Sequence, residues 1–165
     1  MLESTNRRCR VRLLIVLLMF AVPTMASGEE HSLEWSIGLS LLNFGYEEFD
    51  TDGRSLNRED GWLPGISASI IERDGAWFGE ARASLYGGSV DYDGETQSGA
   101  PFTTETKTWL FDSNYRLGHW FGDAPRIAPY IGVGYHRWDR DIQGKGAVVG
   151  LSELYQWGYG GGGGW

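Results

Sequence analysis

The sequence predicts an all-β fold, an antiparallel up-and-down barrel whose strands cross a membrane, and three observations predict it. Five stretches alternate apolar and polar residues, the apolar phase of each is free of charge, and the connections between them alternate long and short. A period of two with charge confined to one phase marks half-buried β-strands. Each stretch also approaches the nine to eleven residues, roughly, that a tilted strand needs to cross a bilayer.

The first stretch, 33–41, places Leu33, Trp35, Ile37, Leu39 and Leu41 on one phase. The second, 62–70, gives Trp62, Pro64, Ile66, Ala68 and Ile70, and the third, 77–85, gives Trp77, Gly79, Ala81, Ala83 and Leu85. The fourth, 109–117, gives Trp109, Phe111, Ser113, Tyr115 and Leu117, and the fifth, 127–135, gives Ile127, Pro129, Ile131, Val133 and Tyr135. The opposite phase of these stretches holds Glu34, Glu80, Arg82, Asp112 and Arg116 among serines and glycines. A lipid-facing phase and a polar lumen follow from that division. Trp35, Trp62, Trp77, Trp109 and Tyr135, near the strand ends, are the expected lipid-facing girdle, because amphipathic rings favour the headgroup zone. Phe78, Trp120, Phe121 and Tyr130 are expected beside them on the periplasmic side, and Trp138 on the outer side.

The connections set the topology. Residues 46–61, 88–106 and 139–150 are rich in charge and are expected to be long loops, whereas 72–76 and 122–126 are short. Asp74-Gly75 suits a tight hairpin. Short periplasmic turns and longer external loops are the rule for outer-membrane barrels. A weaker sixth strand is expected over 151–159, where Tyr155, Trp157 and Tyr159 share a phase that also contains Glu153. Residues 160–165, five glycines and Trp165, are expected to form a disordered or truncated end, since glycine runs lose the most entropy on ordering. Six strands are two short of the eight at which bacterial barrels begin, so the expectation is a chain lacking its last two strands, the alternatives being a further strand within the long loops or closure by association.

Residues 1–26 read as a secretory signal peptide: Arg7, Arg8, Arg10 and Arg12, an apolar run over 13–22, and small residues before a cut after Ala26. The alternative is an uncleaved anchor, for which the run is short. The barrel domain is then 27–159. Cys9 would leave with the label, so no disulfide is expected. Losing four arginines and one glutamate lowers the net charge from −8 by three, to −11, which disfavours nucleic acid as a partner.

At Ala128-Pro129-Tyr130-Ile131-Gly132-Val133-Gly134-Tyr135 the chain resembles small outer-membrane barrels of the OmpA/OmpW-like superfamily, where a Pro-Tyr-x-Gly-x-Gly-Tyr segment is common in a central strand. Asn114-Tyr115-Arg116-Leu117-Gly118 is similar in style. The resemblance implies a Gram-negative cell envelope, an eight-stranded barrel, and outer-membrane lipids and the barrel-insertion machinery as partners. It implies little about activity, since this barrel hosts pores, anchors, adhesins and lipid-modifying enzymes.

For chemistry, the lumen charges Glu34, Glu80, Arg82, Asp112 and Arg116 are expected to pair as a polar plug, through Glu80–Arg116 or Arg82–Asp112, because isolated buried charge is costly. A gated ion path is the sharper alternative. His136 is the best-placed base for a lipid-modifying enzyme, but no His-x-Ser pairing accompanies it, and no catalytic residue is expected. The acidic turns at Asp50-Thr51-Asp52-Gly53 and Asp91-Tyr92-Asp93-Gly94-Glu95 lack the EF-hand spacing and read as solvated turns. No cofactor or metal is expected. The functional expectation is therefore a non-enzymatic outer-membrane barrel with a structural, anchoring or surface-interaction role and no ligand specified. The alternatives are a soluble lipocalin-like barrel with its apolar phase inward, or a lipid-modifying enzyme.

Overall fold

The computed structural model describes residues 8–11, 14–18, 31–96, 98–122 and 127–165, with 8–11 and 14–18 described by backbone alone. The cleavage region expected near Ala26 lies outside the described residues, as does 123–126 of the short link. The chain is all-β. Strands β1 (Arg8–Val11) and β2 (Leu14–Leu18) precede six long ones: β3 (His31–Phe49), β4 (Ser55–Asp74), β5 (Trp77–Glu95), β6 (Pro101–His119), β7 (Pro129–Ile142) and β8 (Leu151–Gly164). Each long strand pairs antiparallel with the next, while β1 and β2 lie along the outer edge of β3. Among the described residues no ladder closes the sheet from β8 back to the first strands.

The alternation places the expected apolar phase outward. Leu39 is 71% exposed and Ile131 70%, and Trp35, Trp62, Trp77, Trp109 and Tyr135 stand on the same outer face. That direction is wrong for a soluble calyx, whose apolar phase must line its interior. Phe78 and Tyr130, expected beside the girdle, instead face inward. Phe78 is buried near Trp120, and Tyr130 lies under the Arg116 guanidinium.

Strand length is the main difference from the sequence expectation. β3 to β6 run for 19 or 20 residues, about twice what a bilayer requires. Most of the charged stretches expected as loops are strand, and the connections shrink to 50–54, 96–100 and 143–150. Each strand therefore has a belt half, apolar outside, and an extension that continues the same ladder past it.

Sorting in the extension is inverted. Its inward phase carries Leu42, Phe44 and Tyr46 of β3, Leu63 of β4, Tyr86 and Val90 of β5, Leu110 of β6 and Trp138 of β7, which form the one buried apolar cluster of the described residues. Its outward phase carries Glu47, Arg58, Asp60, Asp91, Asp93, Glu105, Lys107, Asp139 and Asp141. Water outside and oil inside is the sorting of a soluble barrel. The sheet is curled tightly enough for Phe44 and Tyr46 of β3 to meet the Trp138 ring of β7, at 5.5 and 5.0 Å between centroids.

Local chemistry explains the turns. At the belt end Gly75-Ala76 alone joins β4 to β5, with Gly75 at φ +56°, where an L side chain would be strained. At the far end Asp50 organises its own turn, its Oδ1 accepting the N–H groups of Asp52 at 3.0 Å and Arg54 at 2.8 Å. Those donors hold the Asp50 carboxyl below its ordinary value. The β4–β5 ladder lapses between Asp60–Asp91 and Gly65–Tyr86 and then resumes in register, around Pro64, which has no N–H to give.

The end of the chain also departs from expectation. Gly160 to Gly164 are not a loose tail but the last part of β8, paired with Val133 to Pro129. The neighbouring strand fixes them: with β7 alongside, the glycine backbone completes hydrogen bonds that β7 would otherwise leave open. Glu153, which seemed out of place among the aromatics of β8, shares their inward face because Arg140 stands opposite.

Candidate functional site

Two polar centres lie in the bore, one in each half. In the extension, Arg140 of β7 and Glu59 of β4 are drawn together across the interior, with side chains 2% and 0% exposed. Arg140 Nε donates to Glu59 Oε1 at 2.8 Å, its Nη1 donates to Glu153, and the Thr106 hydroxyl donates to the same Glu59 oxygen at 2.9 Å. The guanidinium lies over the rings of Tyr46, Trp138 and Tyr92, at 5.0, 5.7 and 5.9 Å from their centroids. Burial raises the Glu59 carboxyl above its ordinary value, against the opposing pull of Arg140 and Thr106. Burial also works against the Arg140 charge, but Glu59 and Glu153 outweigh it and hold the guanidinium protonated. Glu59 Oε2, Thr108 Oγ1 and Trp138 Nε1 are buried without a hydrogen-bond partner.

In the belt, the five lumen charges anticipated from sequence all occupy the inward phase, and of the two expected pairs the Glu80–Arg116 one forms. Glu80, buried at 3% exposure, touches Arg82 two residues along its own strand and faces Arg116 of β6 at 4.0 Å. Arg82 is not joined to Asp112. Asp112 instead meets His136 Nδ1 at 3.2 Å, and the Tyr159 hydroxyl donates to its other oxygen at 3.4 Å. Glu34 pairs with Arg73 of β4, a residue that sequence reasoning had left in a turn. Between these charges runs a ladder of hydroxyls, Ser36–Ser69 at 2.8 Å, Ser40–Ser67 at 3.3 Å and Ser67–Ser84 at 2.9 Å. Ser36, Ser67, Ser69 and Ser84 border a cavity of about 180 Å³ that Arg82, Asp112 and Asn114 also line.

This arrangement constrains the chemistry. Ser84, Asp112 and His136 are direct neighbours across β5, β6 and β7, but the carboxylate sits between hydroxyl and imidazole. A hydrolytic triad needs the imidazole in the middle. The other side of the His136 ring is covered by Trp157, stacked at 4.2 Å. Among the described residues no group of three or more His, Cys, Asp or Glu is placed to hold a metal ion. Above the cavity the bore is filled by the apolar cluster, with Leu42 at 2% and Leu63 at 0% exposure.

A curled antiparallel sheet with an apolar outer belt, an aromatic girdle and a polar bore is the wall of a membrane β-barrel. The chain belongs to the family described as Outer membrane protein beta-barrel domain, which it matches over residues 13–165. No curated protein and no solved structure matches it.

The Glu59–Arg140 centre was missed by sequence reasoning. Its members are 81 positions apart, and both fell in stretches read as loops. One signal was available: Thr104, Thr106 and Thr108 alternate with Thr103, Glu105 and Lys107 directly before Trp109, a β-branched run that favours strand.

Proposed function

We propose that this chain is a non-enzymatic outer-membrane protein that anchors a rigid β extension and displays it at the cell surface. The supporting observation is the inversion of polarity along single strands: apolar outward over one bilayer thickness, then charged outward and aromatic inward beyond it. A strand built that way stands half in lipid and half in water. The extension carries the longer turns, so it faces outside, where such barrels keep their larger loops. Export by a signal peptide cut after Ala26 fits this reading, as do outer-membrane lipids and the insertion machinery as partners. The strand Pro129–Ile142 supports a finer kinship with OmpA/OmpW-like barrels.

The bore is a plug rather than a path. Leu42, Leu63 and Trp138 fill it above the serine ladder, and Arg140 is locked between two carboxylates. Reconstitution into planar bilayers tests this, with no conductance steps expected beyond the lipid baseline. Steady steps in a heat-modifiable preparation would overturn the plug, and recovery from the soluble periplasm without detergent would overturn the membrane anchor.

A further inference from the structure

The apolar outward phase of β4 stops at the end of the belt that carries the Gly75-Ala76 turn, where Ile66, Ala68 and Ile70 give way to Glu72 and Asp74. Beside that change the outer face holds an open groove of about 530 Å³. Ala68, Ala81 and Ala83 are its floor, and Ile70, Tyr115 and Val133 are its walls. Ala68 faces Ala83, and Ile70, Ala81, Tyr115 and Val133 face one another in turn across β4 to β7. We infer, given the lipid-facing reading of the belt, that groove and rim together bind one phospholipid whose headgroup carries a primary ammonium. An acyl chain lies along the alanines, and the headgroup sits at the rim.

Three strands bring the headgroup partners together. Glu72 of β4 stands directly opposite Gly79 of β5, which has no side chain to cover the outer face there. The Tyr115 hydroxyl of β6 leans over that glycine: a Cβ at position 79 would meet its oxygen at 2.9 Å. Nearer the turn, Trp77 faces His119. The imidazole is held between the Trp77 ring at 4.7 Å and the Phe121 ring at 4.4 Å. His119 Nδ1 is buried with no hydrogen-bond partner, so the neutral ring keeps its proton on Nε2, as a donor.

These groups match a zwitterion. Glu72 is exposed, with the exposed His31 at 3.6 Å, and Asp74 follows on the same phase. Both carboxylates accept from an ammonium, while Tyr115 and His119 donate to phosphate oxygens. β4 and β6 stand two strand spacings apart, roughly 10 Å, which an ammonium–phosphate pair spans with a hydrogen bond at each end. An anionic headgroup without an amine would set its charge against two unpaired carboxylates, and a trimethylated amine has no N–H to give Glu72. Trp77 and Phe121, both exposed, flank the rim with rings that favour the headgroup zone. With the apolar groove adjoining, the occupant is a membrane lipid rather than a free phosphate ester.

Native mass spectrometry of the full chain, folded in detergent, tests this with dioleoyl phosphatidylethanolamine, phosphatidylglycerol and phosphatidylcholine as separate probes. One phosphatidylethanolamine should bind about tenfold tighter than either of the others, the worth of a charge-assisted hydrogen bond that they lack. Glu72→Gln should bring it to the level of phosphatidylcholine. His119→Phe removes a phosphate donor and Ala83→Phe fills the groove floor, so each should weaken all three lipids, with the gel-mobility shift on heating as the check that the variant is folded. The comparison among lipids in the parent chain needs no variant. Equal affinities there, or tighter binding of phosphatidylglycerol, would overturn the amine site, and an undiminished preference in Glu72→Gln would remove Glu72 from it. Flotation with phosphatidylcholine vesicles separates the two readings. A parent chain that floats without lipid preference refutes the headgroup site and leaves the lipid-facing belt standing, whereas a chain that does not float refutes the belt itself.

Discussion

The belt and the extension share strands, ladders and register, yet they sort their side chains in opposite senses. In the belt half of β3, Trp35, Ile37 and Leu39 point outward and Ser36, Gly38 and Ser40 inward; farther along the same strand Glu47 points outward and Tyr46 inward. The β3–β4 ladder runs unbroken from one to the other. What changes is the medium outside. Lipid rewards apolar atoms on the outer face and leaves the bore to small polar groups, whereas water drives the apolar phase inward. The phase of a strand is thus a statement about its surroundings, and the level at which it flips marks the membrane boundary.

The comparison can be broken most sharply at the extension core. Arg140→Ala leaves Glu59 buried without its partner and should destabilise the barrel by about 3–5 kcal/mol. The double change Arg140→Met with Glu59→Leu should recover most of that loss. Urea unfolding in detergent, followed by the gel-mobility shift on heating, reads both. An Arg140→Ala barrel as stable as the parent would mean that the extension is not a packed unit.

Next in size is the outward phase itself. Ile37→Arg or Ile131→Arg places a cation on the lipid face and should cost about 2–4 kcal/mol in bilayer folding. Asp93→Arg sits on the exposed, charged outward phase of the β5 extension and should change stability by no more than about 0.5 kcal/mol, as exposed surface sites usually do. Similar losses at positions 37 and 93 would erase the boundary drawn here.

Limited trypsin digestion of intact cells sharpens the length of the extension. Arg54 and Lys145 sit in connections and should be cut, whereas Arg58 and Lys107, held in paired strands, should survive. Cleavage after Arg58 at the rate seen after Arg54 would restore the long flexible loop that composition alone implies.

The smallest effect concerns pH. Glu59 is held above its ordinary value by burial, so between its unfolded and folded values the folded chain binds more protons. Stability contributed by that proton is present at low pH and is lost as pH rises through the folded value. Glu59→Gln should flatten this slope in denaturation midpoints measured from pH to pH, and an unchanged slope would assign it to another group.

Sequence alone determined the belt. A period of two with one charge-free phase admits few other structures, and the outward positions of Trp35, Trp62, Trp77, Trp109 and Tyr135 follow from that count of two. It also placed Glu34, Glu80, Arg82, Asp112 and Arg116 in the bore, because they share the opposite phase. Only the tertiary structure decided the contacts among them. Arg82 reaches Glu80 rather than Asp112, and Arg73 reaches Glu34, through stagger between strands that periodicity does not encode. The extension was hidden for a related reason: charge on an outward phase reads as loop until Phe44, Tyr46, Val90 and Tyr92 are seen to converge from different strands on Trp138 and Arg140. The glycines of β8 make the same point in reverse. Their intrinsic preference is disorder, and it is the open backbone groups of β7, brought beside them by the fold, that hold them as a strand.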